Sequence, residues 1–179
     1  MERSKLTGKV WALSGKEGRL IEDIDTDQIY HNAHLHITDR AQMGQYAFGN
    51  LEGWKDFPAK AQSGDMIVVG RNFGAGSSRQ QAVDCFLALG IGLIIAPSFG
   101  AIYFRNAVNS GFPVLKSHDV ERLVQAKNLE TGDRITVDII SGECRNLTKD
   151  FSFGSSPMSK VQHDIFLAGG LFLYGKGSR

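Results

Sequence analysis

Thiols are scarce in this chain. Its 179 residues hold two cysteines, Cys85 and Cys144, neither in a Cys-x-x-Cys pair nor at ligand spacing from a histidine. Free cysteines are by habit buried, structural groups, and both are read so. A cubane iron–sulfur cluster takes about three or four thiolates, so the chain cannot hold one by itself. No metal site of its own is expected. An excess of charge is also missing: 20 Lys+Arg against 19 Asp+Glu leave +1. That excludes a basic field for nucleic acid and a polybasic tail for a membrane surface. No stretch approaches about 18 consecutive apolar residues, the length that would span a bilayer. The opening "MERSKLTGKVWALSG" has no apolar core of a secretory signal. A cytoplasmic, soluble chain is expected. Repeats, low-complexity tracts and linkers are absent too, and the length suits a single domain over 1–179.

Periodic segments sit on this background. "LTGKVWAL" alternates as a strand, and residues 23–64, rich in Gly, Asn, His and Asp, read as long loops with one short helix near 38–47. Loops that long inside a compact domain tend to carry function. "DMIVVG" then reads as a buried strand and "SSRQQAVDCFLALG" as a helix with Ala82, Val83, Phe86 and Leu87 inward and a stop at Gly90. "IGLIIA" is the next strand, "SFGAIYFRNAVNSG" a helix closed by Gly111, and "FPVL" a third short strand. Strands and helices alternating in this way make a βαβαβ unit with a parallel sheet. Beyond Leu115, "DVERLVQAKN" reads as a helix, "DRITVDII" and "ECRNLTKDF" as an antiparallel hairpin around Ser141-Gly142, and "SKVQHDIFLAG" as a last helix before a glycine-rich end.

The segment "GRNFGAGSSRQQA" joins a strand, a glycine turn and a helix start, which together aim backbone N–H groups and a helix dipole at one spot. The dinucleotide pattern GxGxxG fails because its third glycine position is Arg79, and the P-loop GxxxxGK[ST] is absent. A GxSxG nucleophile elbow fails because Ser78 and Arg79 follow Ser77. Arg79 instead offers a guanidinium, shaped to hold a carboxylate by two parallel hydrogen bonds. A small carboxylate is therefore the expected ligand. Ser77 or Ser78 is also expected to cap the helix. A serine alkoxide acting as a base would need the dipole, Arg79 and a neighbouring metal or cluster. The chain has the first two.

Four stretches, "DIDTDQI" (23–29), "GDMIVVGRNFGAGSSRQQA" (64–82), "IIAPSFGAIYFRNAVNSGFPVL" (94–115) and "AGGL" (168–171), occur in the order found in one family. On these the sequence resembles the small subunits of the aconitase-type hydro-lyases, the family of 3-isopropylmalate dehydratase and homoaconitase. The resemblance implies an α/β fold, a swivelling β/β/α three-layer domain with a parallel central sheet and additional antiparallel strands. It implies a subunit active only with a large iron–sulfur subunit, which carries the [4Fe-4S] cluster. The implied reaction dehydrates or hydrates a substituted malate, with isopropylmalate first and methylmalate, dimethylmalate and homocitrate after it; isopropylmalate would place it in leucine and branched-chain amino acid biosynthesis. The ligand would be a small di- or tricarboxylate.

By the same resemblance Ser77 is the base, Ser78 and Arg79 hold the substrate carboxylate, Gly74 and Gly76 let the backbone approach closely, and Asp27 lies at the pocket edge near proton-transfer groups. Without the resemblance, Asp27 reads as an Asx-turn residue. The family often has Cys where this chain has Ala75 and Glu where it has Gln80; neither change removes a group the mechanism uses. The loop after Asp27 departs further. Homoaconitase-type members place an arginine there for a distal carboxylate and isopropylmalate-type members an apolar residue, whereas this chain has His34-Leu35-His36-Ile37. These four are candidates for substrate selection, or else histidines solvated on a loop tip. A rival from another class is a non-catalytic, carboxylate-binding regulatory module.

Overall fold

Two kinds of β pairing meet in one strand. β1 (Lys5–Ala12) pairs through Lys5–Lys9 antiparallel with β5 (Arg134–Asp138), and through Val10–Ala12 parallel with β2 (Met66–Val68). On one side the sheet continues, parallel, through β3 (Leu93–Ala96) to β4 (Val114–Lys116). On the other it continues, antiparallel, through β6 (Glu143–Asn146) to β7 (Phe151–Gly154). The result is a seven-stranded sheet of order β4-β3-β2-β1-β5-β6-β7. The structure, a computed structural model, describes residues 4–177, so the ends of the expected 1–179 span lie outside the described residues.

Alternation along the short parallel strands sorts their side chains into two cores. Ile67, Val69, Ile94, Ala96 and Val114 join one cluster with Ala82, Val83, Cys85 and Phe86 of α4 (Gln81–Leu89) and Tyr103 and Ala107 of α5 (Ala101–Asn109). Met66, Val68, Leu93, Ile95 and Leu115 join the other with Leu123 of α6 (Val120–Gln125) and Ile135, Val137, Cys144 and Phe153 of the antiparallel strands. The second β layer is therefore the same sheet curled over the parallel strands, which are buried on both faces. The expected β/β/α layering holds.

Residues 23–64 are more structured than their composition suggests. They hold α1 (Thr26–Ile29), a 3₁₀ turn at Asn32–His34, α2 (Arg40–Met43) running into a second 3₁₀ turn at Gly44–Tyr46, and α3 (Phe57–Lys60). Ile24, Ile29, Tyr30, Phe48 and Phe57 from this region all enter the core that α4 packs on. Three boundaries also differ from expectation. The strand expected over "ECRNLTKDF" stops at Asn146, which turns the chain by accepting from the Thr148 and Lys149 N–H groups, and Phe151 opens a separate strand, β7. The glycine-rich end contains α8 (Leu171–Gly177), after α7 (Lys160–Ala168) ends at Gly169. The helix expected from Ser77 begins at Gln81.

Candidate active site

The turn after β2 is clamped between two segments. On one side the Asp23 N–H donates to the Arg71 carbonyl (2.9 Å), the Gly74 N–H to Ile24 (2.8 Å) and the Thr26 N–H to Ala75 (2.9 Å). On the other, Gly100 donates to Phe73 (2.9 Å) and Asn72 to the Ser98 hydroxyl (2.9 Å). Gly74 (φ +79°) and Gly76 (φ +93°) take backbone angles that a side chain disfavours, and a Cβ at Gly74 would collide with the Tyr103 ring. Past Ala75 the pairing stops. Among the described residues, the backbone N–H groups of Gly76 to Gln80 donate to no protein acceptor. They form a run of free donors just ahead of the α4 N-terminus, as an anion site requires.

Neither serine caps that helix. Gln80 is the N-cap and makes no side-chain capping bond. The chain is held off the helical path by the Thr26 hydroxyl, which donates to the Ser77 carbonyl (3.0 Å), and by the grip of Arg79 on α1. Both serines are exposed. The Ser78 hydroxyl accepts from Asn106 Nδ2 (3.2 Å), whereas that of Ser77 makes no hydrogen bond among the described residues.

The three residues Asp25-Thr26-Asp27 divide the work. Asp25 caps α1, accepting from the Gln28 N–H (2.8 Å) while Gln28 accepts from the Asp25 N–H (3.0 Å), a reciprocal capping box. That frees Asp27, whose Oδ1 accepts from Arg79 Nη1 at 2.8 Å and from the Asn32 N–H at 2.9 Å. Oδ2 accepts from Asn50 Nδ2 at 3.0 Å and lies 3.9 Å from His31 Nε2. The Arg79 hydrogen bond outweighs burial and holds the Asp27 carboxyl below the ordinary aspartate value of 3.8. Arg79 Nη1 also donates to the Tyr30 carbonyl (2.7 Å), and its side chain is only 12 % exposed.

The expected selector loop is held differently. The Tyr30 hydroxyl donates to the His34 carbonyl (3.1 Å), and the His34 ring stacks on Tyr46 with centroids 4.0 Å apart. Ile37 packs against the core, while Leu35 and His36 are exposed. No hydrogen bond joins these four residues to Ser77, Ser78 or Arg79 among the described residues; Tyr30 links the two regions. Asn50, Asn106 and Tyr30 carry no local pattern that marks them as site residues. Cys85 and Cys144 are both fully buried, in opposite cores, and burial pushes the Cys144 thiol up to about 11 and the Cys85 thiol higher still.

No helix among the described residues is long and apolar enough to cross a membrane. The aconitase C-terminal domain family matches residues 21–119, the part of the chain that holds the turn, α1 and the strands β2 to β4. A 3-isopropylmalate dehydratase small subunit from Caldicellulosiruptor saccharolyticus is 36% identical over 163 residues, 91% of this chain and 90% of its own. One from Aquifex aeolicus is 33% identical over 172 residues, 96% of this chain and 95% of its own. A solved structure of a 3-isopropylmalate dehydratase from Methanocaldococcus jannaschii superposes with a TM-score of 0.82 at 29% identity, covering 97% of this chain and 95% of that one. With a family match over more than half its length and relatives aligned nearly end to end, this chain belongs to the aconitase C-terminal domain family.

Proposed function

We propose that the chain is the small subunit of a 3-isopropylmalate dehydratase, a hydro-lyase that interconverts 2- and 3-isopropylmalate in leucine biosynthesis. In this reading residues 1–179 form one swivelling domain that works in the cytoplasm against a large subunit, with neither nucleic acid nor membrane as partner. One observation carries it: Ser77, Ser78 and Arg79 stand together on a glycine turn whose backbone N–H groups from Gly76 to Gln80 donate to no acceptor among the described residues. A dicarboxylate would set one carboxylate against these N–H groups, the Ser78 hydroxyl and the unengaged edge of Arg79. Ser77 Oγ, which makes no hydrogen bond among the described residues, would then take the proton from the carbon beside that carboxylate. The positive end of α4 and Arg79 favour the charged oxygen.

Loss of hydroxide from the adjacent carbon completes the elimination. A cluster on the large subunit would supply the Lewis acid for that oxygen; with both thiols of this chain sealed in its cores, it would take no ligand from them.

The test is reconstitution with a large iron–sulfur subunit. The complex should isomerise isopropylmalate and the lone chain should not. Ser77→Ala should lower kcat by about 100-fold or more with KM changed by less than about threefold, as expected for loss of a general base. Turnover by the lone chain, or near-normal kcat for Ser77→Ala, would overturn the assignment.

A further inference from the structure

A residue at the pocket edge can serve a reaction by moving a proton or by holding another group still. Asp27 is surrounded by donors. Arg79 Nη1, the Asn32 N–H and Asn50 Nδ2 share its two oxygens, and His31 Nε2 stands 3.9 Å away. Each of these donors favours the ionised carboxylate and opposes the protonated one. A general acid must first hold a proton, and here every neighbour works against that.

The geometry of Arg79 completes the picture. Its three side-chain hydrogen bonds, to Asp27, the Tyr30 carbonyl and, at 3.5 Å, the Thr26 carbonyl, all leave from Nη1. Among the described residues, Nε and Nη2 have no partner. A guanidinium is planar, so anchoring one nitrogen on three acceptors sets the direction of the opposite edge, and that edge has the spacing of a carboxylate.

We propose that Asp27, itself held by Asn50, is the positioning residue for Arg79: it pins Nη1 so that the Nε–Nη2 edge receives a substrate carboxylate at two points, and it takes no part in proton transfer. This rests on the reading of the turn as a carboxylate site. Asn50 is the part that no motif marks. It reaches Asp27 from 23 residues away and fixes the oxygen that Arg79 leaves open.

Two measurements test this, and the first needs no turnover. In the full chain alone, nitrogen NMR of the Arg79 guanidinium should show slow rotation in wild type and faster rotation in Asp27→Asn and Asn50→Ala. Unchanged rotation in both variants would overturn the proposal. With the large subunit present, Asp27→Asn should raise KM for isopropylmalate by about tenfold or more and leave kcat within about threefold. The kcat–pH profile should keep its shape. Asn50→Ala should shift KM the same way by about threefold, since it removes one of three donors. A kcat loss of about 100-fold with a vanished limb of the pH profile would make Asp27 a proton-transfer group and sink the idea. If circular dichroism shows Asp27→Asn unfolded, Asn50→Ala carries both measurements. If the wild-type complex fails to turn over isopropylmalate, the proposed function falls while the NMR result still decides the role of Asp27.

Discussion

The turn at 70–80 and the loop at His34–Ile37 flank the same tyrosine but are held by different means. The turn is fixed from a distance: Arg79 meets Asp27 across 52 residues of sequence, and Asn106 meets Ser78 across 28. The loop is fixed locally, by 3₁₀ bonds such as the Leu35 N–H to the Asn32 carbonyl (3.2 Å) and by the stack of His34 on Tyr46. Groups that must sit within fractions of an ångström of a reacting carbon belong on the first kind of support. Side chains that only choose among substituents can stand on the second, where replacement disturbs little else. In the proposed reading, this contrast separates chemistry from selectivity on one small surface.

The largest effect should come from breaking the rigid side. Gly74→Ala puts a Cβ into the Tyr103 ring at a φ of +79°, so urea unfolding should show a loss on the order of 2 kcal/mol or more, and activity of the reconstituted complex should largely vanish. Gly53 has nearly the same angle, +82°, with nothing within 4 Å of its added Cβ. Gly53→Ala should therefore show only the backbone cost, about 1–2 kcal/mol, with activity retained. Equal losses in the two would mean that the packing on Tyr103 is unimportant.

A middle-sized effect is expected on the loosely held side. His36 is exposed, so His36→Arg should change stability by no more than about 0.5 kcal/mol. Arginine brings a permanent charge and a planar fork suited to a second carboxylate, so the ratio of kcat/KM for homocitrate over isopropylmalate should rise, by about tenfold. A stability change with no shift in preference would remove this loop from substrate selection.

The smallest effect concerns acid. Arg79 lowers the folded-state pKa of Asp27, so their pairing stabilises the fold above the ordinary value of 3.8 and is lost as pH falls through the lowered one. Wild type should thus exceed Asp27→Asn in stability near neutrality, and the gap should close below about pH 4. With the Asp27 side chain 36 % exposed, that gap should stay under about 1 kcal/mol. Parallel acid-unfolding curves down to low pH would show that the pair contributes nothing.

Much of this arrangement was legible before any coordinates. Gly90 (φ +72°) and Gly111 (φ +68°) do end α4 and α5, and the βαβαβ order holds. What local reading missed had no local signal. Ser77-Ser78-Arg79 looks like a helix start because serine is a good cap, but the Thr26 hydroxyl and the anchoring of Arg79 on α1 compete for those residues and win. β7 lies almost wholly beyond the expected strand "ECRNLTKDF", because four residues, Phe151–Gly154, are too few to show a period apart from the turn before them.

By itself, then, the amino-acid order determined that Ala82, Val83 and Phe86 lie inward on α4, that Gly90 and Gly111 stop the two helices, and that a glycine turn carrying Ser77, Ser78 and Arg79 follows β2, since all of these depend on periodicity or on one residue's backbone freedom. Only the tertiary structure decided that Asp27 would meet Arg79 and that Asn50 and Asn106 would steady the two sides of the candidate site. Those outcomes depend on how the curled sheet and its crossovers bring segments tens of residues apart into hydrogen-bond range, and no spacing within a single segment encodes that distance.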